Sequence, residues 1–279
     1  MALVIRIGYF CTAGHTEAGG IARFLSRIDN SDDVRWERCF PAIRKPGPKL
    51  RERPTSPERL AQVELLAPRL EDRPAPKSGD GTTGAGLVAQ MLTRLRQFHR
   101  HGESGALDVV LLIDDADCRF DGDPDKRLAW AADREKDVRA ATGDASVPFV
   151  ALFASPEIEA WFIADWEEGF GRQFSRLAGA GDGIEKKHLR AHVEELLGGP
   201  PNTVESYGGG LSNGACTHKL SDKLAALLTL LGGAYSKRTH GQDMLLRVRP
   251  NKIAEVCTTY FSPALRDLKR ATGDARARS

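Results

Sequence analysis

The sequence predicts an α/β protein in which residues 1–165 form a mostly parallel β-sheet flanked by helices, followed by a helical region over residues 166–279. Three observations support this class. Near-continuous apolar runs, typical of strands buried on both faces, recur in the first half of the chain. Helical patterns alternate with these runs, and the strand patterns stop near residue 166. The order β-α-β-α-β-α-β predicts a layered fold with right-handed crossovers.

Four segments have strand patterns. Residues 3–11 and 107–113 are almost entirely apolar, and 147–153 is a shorter run of the same kind. Residues 34–40 alternate apolar and charged side chains, a pattern typical of a half-exposed strand near a sheet edge. The first run carries Arg6 and lacks a basic leader, so we interpret it as a strand rather than a signal peptide.

Helices are predicted between these strands. One follows the first strand over residues 16–28, and the next, at 86–100, repeats apolar residues at helical spacing. The third, at 124–142, has Asp123 as its N-cap and proline at its first position, and it ends at Gly143.

Residues 41–85 interrupt the alternation. This insert is rich in proline, and residues 44–77 hold nine basic and five acidic residues. Loops of this length in compact domains are usually functional or disordered. Two interpretations stay open: a flexible solvated insert with a short helix at 57–70, or an arm that contacts phosphates through residues such as Arg44 and Lys45.

Helical patterns dominate the last third of the chain, and the glycine-rich residues 208–210, with 213–214, are expected to be a loop. A basic tail follows Ser262 and Pro263, where a last helix begins. The other helices of this region are predicted at residues 184–197, 219–231 and 250–261.

The amino-acid composition argues against several classes of protein. The chain has 279 residues, 40 of them Lys or Arg and 38 Asp or Glu, so its net charge of +2 is too small for a strongly basic nucleic-acid coat protein. The five cysteines are scattered along the chain, and none forms a Cys-x-x-Cys motif. This argues against a disulfide framework or a structural zinc site and favours a cytoplasmic location. No apolar run approaches the roughly 20 residues that would span a bilayer.

The strongest chemical signal is the end of the third predicted strand, where Asp114, Asp115 and Asp117 follow an apolar run. Ligands of open α/β sheets bind at this carboxyl edge. Two carboxylates about 4 Å apart repel by about 4 kcal/mol at an effective dielectric of about 20, so a site that keeps both ionised favours a cation. Oxygen ligands favour Mg²⁺ or Mn²⁺. The alternative is that these aspartates cap a turn.

Two further acidic segments follow strands one and four. Glu17 and Thr16 lie near the start of a helix after a glycine turn, where they either bind a ligand or complement the helix dipole. Pro156 is expected to begin a helix whose first turn carries Glu157 and Glu159. We interpret Glu157 as dipole compensation, whereas Glu159 beside apolar neighbours needs a partner or a metal. Three acidic clusters at one sheet edge together favour the metal hypothesis.

These motifs resemble the TOPRIM domain of topoisomerases, primases and overcoming-lysogenization-defect nucleases. The nearest likeness is to a bacterial TOPRIM-like family of unknown function related to those nucleases. The likeness covers most of the chain outside the insert. It rests on the Gly-x-Thr-Glu turn at 14–17, the Asp-x-Asp at 115–117, the segment 156–165, the Tyr-x-Lys-x-x-His-Gly segment at 235–241 and the helix at 261–268.

The resemblance implies a nuclease that hydrolyses phosphodiester bonds with Mg²⁺ or Mn²⁺. Asp115 and Asp117 match the metal-binding Asp-x-Asp, and Glu159 matches an additional acidic position of the nuclease branch. Asp114 and Glu17 are further candidates for the same metal shell. Lys237, which follows Tyr235 in the downstream basic motif, would face phosphate oxygens. Arg119 is a further expected contact to nucleic acid.

The resemblance also implies partners. Nucleic acid, DNA first, is the expected substrate, in defence against phage or mobile DNA. An ATPase of a defence system and a second copy of the chain are candidate protein partners, and no membrane partner is expected.

One departure from the family bears on activity. The family has a glutamate immediately before the glycine of the first turn, and this chain has Ala13 there. Glu17, about one helical turn later, is the nearest carboxylate that could replace it. Two readings of function therefore remain, an active nuclease and a TOPRIM-fold subunit that binds nucleic acid or a partner without cleaving. A nucleotide-binding regulator is a third.

Two histidine features have simpler explanations. His188 and His192 lie four apart on the helix predicted at 184–197, but no acidic third ligand accompanies them, so we expect a solvated helix edge. His240 is either a surface residue or a proton shuttle.

Overall fold

A four-stranded parallel sheet forms the centre of the protein. The computed structural model describes residues 4–11, 15–40, 84–102, 107–117, 119–120, 123–175, 186–207, 211–212, 215–216 and 219–278. The strands have the order β2-β1-β3-β4, and all neighbouring pairs are parallel. Their bounds are Ile5–Cys11 for β1, Val34–Phe40 for β2, Val109–Asp115 for β3 and Phe149–Ala154 for β4.

The predicted α/β class with a parallel sheet flanked by helices is confirmed. All four predicted strands are present, although β3 begins and ends two residues later than expected. Cys11 pairs with Ile113 across β1 and β3, and Asp115 pairs with Ala154 across β3 and β4. The carboxyl ends of these three strands therefore lie together at one edge of the sheet.

Helices cover both faces of the sheet. On one face, α2 (Gly84–Arg100) and α3 (Pro124–Thr142) pack over a buried cluster that includes Leu112 and Phe153. The ends of α3 are as predicted: the Asp123 side chain accepts hydrogen bonds from the backbone N–H groups of the first turn, and Gly143 adopts a left-handed φ of 68°.

The other face of the sheet packs against α1 (His15–Ser26) and the C-terminal helices. One hydrophobic cluster contains strand residues such as Leu111 and Leu152 together with Phe170, Leu224 and Phe261 from the later region. The C-terminal helices are α4 (Glu159–Ala164), α5 (Phe170–Gln173), α6 (Lys186–Leu197), α7 (Leu220–Leu230), α8 (Gln242–Leu245), α9 (Pro250–Val256) and α10 (Phe261–Arg278). Among the described residues, no helix has both the length and the apolar character needed to cross a membrane.

Two local predictions for the later region are wrong. The helix expected at 250–261 already ends at Val256, and the last helix begins at Phe261, one residue before the expected start at Ser262. A short antiparallel ribbon pairs β5 (Leu211–Ser212) with β6 (Ala215–Cys216), and the loop expected at 208–210 and 213–214 lies outside the described residues. Pro156 does not begin a helix, because α4 starts at Glu159, after a cis peptide bond between Ser155 and Pro156.

Buried carboxylates hold three of the later helices in place. Glu157 accepts from the N–H of Ser221 in α7, and Asp165 accepts from the N–H of Arg249 at the start of α9. Glu205 accepts from three consecutive N–H groups that lead into α10, at 2.7–3.1 Å. The first N–H groups of a helix lack intrahelical partners and carry partial positive charge, so an acidic side chain stabilises each helix start.

Candidate functional site

The two adjacent aspartates at the end of β3 face opposite sides of the sheet. Asp114 and Asp115 are the last residues of the strand, where successive side chains alternate between faces. Asp115 Oδ1 accepts a hydrogen bond of 2.9 Å from the backbone N–H of Ile158, just before α4. This bond directs the Asp115 carboxylate toward the segment that carries Glu157 and Glu159.

Asp114 pairs with Arg119. Its Oδ2 accepts from Arg119 Nη2 at 2.6 Å and from the backbone N–H of Gly84 at 2.9 Å. Burial raises the pKa of Asp114, although the Arg119 charge acts in the opposite direction. Our prediction grouped Asp114 with the metal ligands and Arg119 with the nucleic-acid contacts. The structure instead joins the two to each other, with the guanidinium 5.3 Å from the centre of the Phe153 ring.

Asp117 has an uncommon backbone conformation. Its φ is +47°, a left-handed value that aspartate tolerates better than most residues with a Cβ. Its N–H donates to the carbonyl of Pro156 at 2.7 Å, which ties it to the same segment as Asp115. Burial raises the pKa of the Asp117 carboxyl, with a further upward contribution from Glu157, and the positive charge of Lys219 opposes the shift.

Glu157 is a buried carboxylate that pairs with the half-exposed Lys237. One carboxylate oxygen accepts from the Ser221 N–H at 2.9 Å, and the other accepts from Ser221 Oγ at 3.2 Å and from Lys237 Nζ at 3.0 Å. Burial by itself would raise the pKa of Glu157, but the Lys237 charge and these hydrogen bonds outweigh it and lower the pKa. Glu157 is therefore an ionised carboxylate that caps α7, not the dipole partner of its own helix that the sequence suggested.

Glu159 is fully buried at the start of α4. Its Oε1 accepts from Tyr235 Oη at 2.7 Å and lies 3.4 Å from Lys237 Nζ. Its Oε2 is buried and has no hydrogen-bond partner within the described part of the chain. Burial raises the pKa of Glu159 in spite of the nearby Lys237 charge.

A π-helical turn, Lys237–Gly241, holds the cation of this site. Ser236 caps the turn by accepting from the N–H of Thr239, and His240 Nδ1 accepts from the N–H of Ser236 at 3.1 Å. The two bonds fix the backbone between Tyr235 and Lys237. His240 is thus a structural acceptor in this turn, a role that neither of our interpretations of the residue included.

The cation and the phenol of the site have shifted pKa values. Burial by itself would lower the pKa of Lys237, but the negative charges of Glu159, Glu157 and Asp115 raise it overall. Burial raises the pKa of Tyr235, and the Glu159 charge adds to that shift. At neutral pH the lysine is therefore an ammonium and the tyrosine a neutral hydrogen-bond donor.

The structure does not describe some of the predicted site residues. The backbone of Glu17 lies in the first turn of α1, which follows β1 at the same sheet edge, and α1 packs against the turn Lys237–Gly241. The side chain of Glu17 and residues Ala13, Arg44 and Lys45 are not among the described parts of the chain. Their predicted roles stay predictions.

The oxygen donors of the site are of the kind that a hard divalent cation prefers, but their arrangement in the described part of this structure does not form a metal site. Asp115, Asp117, Glu157 and Glu159 supply only carboxylate oxygens, which Mg²⁺ and Mn²⁺ prefer, and Glu159 Oε2 is buried without a described partner. Within the described ranges, however, no group of three or more His, Cys, Asp or Glu side chains is arranged to hold a metal. The positive charge beside the two glutamates is the Lys237 ammonium.

Two residues of the cluster were not predicted as functional. Ser221 gives no signal in the sequence, because its contact with Glu157 spans 64 residues. Lys219, whose charge acts on Asp117, begins the predicted helix at 219–231 and resembles an ordinary surface residue in the sequence.

Comparisons with known proteins add no relative. Neither the family models, nor the curated proteins, nor the solved structures include a match to this chain.

Proposed function

We propose that the protein hydrolyses phosphodiester bonds in nucleic acid with the help of Mg²⁺ or Mn²⁺. One observation carries the proposal: Asp115, Asp117, Glu157 and Glu159 lie at the carboxyl edge of a parallel sheet, beside the half-exposed Lys237. Asp115 and Asp117 are both tied to the 156–158 segment, by bonds of 2.9 and 2.7 Å. Ligands of open α/β sheets bind at this edge.

The chain's own residues would divide the work. Asp115, Asp117 and Glu159 would hold the metal, which when bound would polarise a phosphoryl oxygen and make water a better nucleophile. Ile158 orients Asp115 through its N–H. Lys237 and the exposed Lys219 offer positive charge to phosphate oxygens at the border of the acidic cluster.

The wider context of the proposal follows the TOPRIM resemblance. DNA is the first substrate to test, with the insert residues Arg44 and Lys45 as further backbone contacts. A role in defence against phage or mobile DNA, an ATPase or second copy as partner, and a cytoplasmic location belong to the same proposal. Binding that relies on phosphate contacts would weaken steeply with salt.

A second candidate function is favoured by one observation. Lys237 already balances Glu157 and Glu159, as in a purely structural ion-pair network. Together with Ala13, where the family has a glutamate, this supports a subunit that binds nucleic acid or a protein without cleaving it.

A cleavage assay separates the two candidates. Purified protein is incubated with single- and double-stranded DNA and RNA in Mg²⁺ or Mn²⁺, beside the variants Asp115→Ala and Asp117→Ala. Asp133→Ala is the matched control, because Asp133 is an exposed carboxylate on α3 that pairs with Lys136 of the same helix. Cleavage lost in the two site variants and kept in the control supports the nuclease. Cleavage that survives both site variants would exclude this site, and binding without cleavage would favour the second candidate.

A further inference from the structure

We infer that the outward face of α2 binds the phosphate backbone of nucleic acid through Arg94, Arg96 and Arg100, which together form the basic face of α2. The inference rests on the nucleic-acid part of the proposed function and adds a contact surface for the same substrate, outside the acidic cluster. Contacts between arginine and phosphate require no metal ion, so this surface can be tested separately from any cleavage.

The charge composition of α2 differs from that of the other long helices. Between Gly84 and Arg100 the helix has three arginines and no aspartate or glutamate. The helices α1, α3, α6, α7 and α10 each carry charges of both signs. On α3, α6 and α10, arginines form ion pairs about one turn along the same helix, as Arg139 does with Glu135. Only positive charge balances the solvent side of α2.

The arginines lie on the solvent side of the helix. Buried apolar residues, among them Leu87 and Met91, form the opposite side. Arg96 and Arg100 are exposed, and Arg94 is half-buried. Neither Arg96 nor Arg100 has an ion pair with another described residue. Their charges are therefore available to a partner.

Helix stability does not account for this pattern. A basic residue in the last turn complements the helix dipole, which explains Arg100. Arg94 and Arg96 lie before the last turn, and Arg96 and Arg100, four residues apart, repel each other. A polyanion that covers the face offsets this repulsion, because its phosphates supply the negative charge that the helix lacks.

Arg94 is held in a defined orientation. Its Nη1 donates to Gln97 Oε1 at 3.2 Å, and its guanidinium lies 4.3 Å from the centre of the Phe98 ring. An arginine that is already fixed loses less side-chain freedom when it binds a phosphate. Glu37 on the neighbouring strand β2 pairs with Arg6 and Arg35, so it does not neutralise Arg94.

The helix connects the basic face to the candidate site. Its first residue, Gly84, donates its N–H to Asp114 at 2.9 Å, so α2 starts at the carboxyl edge of the sheet. At a rise of about 1.5 Å per residue, the three arginines lie about 15–24 Å from that end. A strand of duplex DNA covers this distance in about four to seven nucleotides, at about 3.4 Å each. A short nucleic acid held at the edge therefore reaches the basic face.

Binding measured in the presence of a chelator tests the inference. Fluorescence anisotropy follows labelled duplex DNA, single-stranded DNA and RNA. The test variant carries Arg96→Gln and Arg100→Gln together. The matched control carries Arg139→Gln and Arg270→Gln, which remove two exposed arginines that pair with acids on α3 and α10. Both variants lose the same amount of charge.

The α2 variant should bind at least about tenfold more weakly than the wild type at physiological salt, and the control should stay within about twofold. The slope of log affinity against log salt should fall by about 1.4–1.8, because each lost phosphate contact contributes about 0.7–0.9. Affinity and slope that match the wild type would overturn the inference. An equal loss in the control, or a wild type that binds none of the probes, would also overturn it.

Chemical modification of the wild type keeps the test independent of variant folding. Phenylglyoxal labels accessible arginines, and mass spectrometry compares the protein with and without saturating nucleic acid. Labelling of Arg96 and Arg100 should fall at least about twofold, and that of Arg139 and Arg270 should stay constant. Equal labelling of Arg96 and Arg100 in both samples would refute the contact.

The outcomes also separate this inference from the proposed nuclease. Nucleic acid bound through Arg96 and Arg100, without cleavage by any form, would support the basic face and reject the nuclease. Metal-dependent cleavage by the wild type, with full affinity in the α2 variant, would do the reverse. Binding of poly-glutamate in place of every nucleic-acid probe would overturn the inference and indicate an acidic protein as the partner.

Discussion

The phenolic oxygen of Tyr235 lies 2.7 Å from Oε1 of Glu159, across 76 residues of sequence. This bond joins the start of α4 to the segment just before the π-helical turn. Among the described residues, Tyr235 is the uncharged donor to the fully buried Glu159 side chain, whose other polar neighbour is the Lys237 ammonium. Tyr235 therefore helps to keep a costly carboxylate in the interior.

Removing the phenolic hydroxyl should destabilise the protein. Tyr235→Phe leaves Glu159 without this donor, and we expect a loss of about 1–3 kcal/mol in the free energy of unfolding. Urea denaturation measures it. Tyr207→Phe is the control, because Tyr207 is only half-buried and its hydroxyl has no hydrogen bond among the described residues. Equal stability of the wild type and Tyr235→Phe would contradict the structural role of this bond.

Glu159 and Glu157 should affect the pH dependence of stability in opposite directions. Burial raises the folded-state pKa of Glu159 above its ordinary 4.5, so the folded protein binds the extra proton and this group's contribution to stability falls as pH rises above about 4.5. Glu159→Gln should therefore gain stability relative to the wild type between pH 5 and 8, as measured by urea denaturation across that range.

Glu157 should change the pH dependence of stability in the opposite direction. Despite its burial, Lys237 and Ser221 lower its pKa, so its contribution is present above the unfolded pKa and is lost as pH falls through the folded value. Glu157→Gln should be less stable than the wild type at pH 7, with the difference shrinking below about pH 4.5. The same pH trend in both glutamine variants would refute the assignment of opposite shifts.

The left-handed backbone of Asp117 gives a stability test that is separate from its chemistry. Glycine adopts a φ near +47° without a steric penalty, whereas alanine does not. Asp117→Gly should be more stable than Asp117→Ala by about 1 kcal/mol, although both lose the carboxylate. Thermal unfolding compares them. Both variants should be equally inactive if Asp117 holds the metal, and a more stable alanine variant would argue against the left-handed conformation.

The pair of Asp114 and Arg119 should matter more for stability than a surface pair. Arg119→Met leaves the buried Asp114 carboxylate without its cation, and we expect a loss of about 3 kcal/mol. Arg139→Met, which breaks an exposed pair with Glu135 on α3, should cost less than about 1 kcal/mol. Chemical denaturation of both variants measures the contrast. Similar small losses in both variants would contradict the stabilising role of the pair between Asp114 and Arg119.

Local sequence patterns predicted most of the sheet and several helices. The apolar runs identify all four strands because a strand buried on both faces has few other compositions. The ends of α3 could be predicted because Asp123, Pro124 and Gly143 act within one turn of the helix. The early end of α9 at Val256 could not be predicted, because Glu205, which accepts from the N–H groups of Thr259 and Tyr260 just after it, lies more than 50 residues earlier.

Part of the candidate site could also be predicted from the sequence, and part could not. Strand ends that carry Asp115 and Glu159 to one edge follow from parallel pairing, so their neighbourhood could be predicted. Asp114 could not be separated from Asp115 until the structure showed that β3 extends through both residues, because a strand turns adjacent side chains to opposite faces.

By itself, the sequence determined that this chain forms a parallel α/β sheet and collects acidic residues at its carboxyl edge, because both properties follow from short-range patterns. Only the tertiary structure decided which acid meets which cation. Lys237 reaches Glu157 across 80 residues, and that pairing depends on how the C-terminal helices pack against the sheet. A charge pair between distant segments is selected by the packing that buries it, which no local pattern encodes.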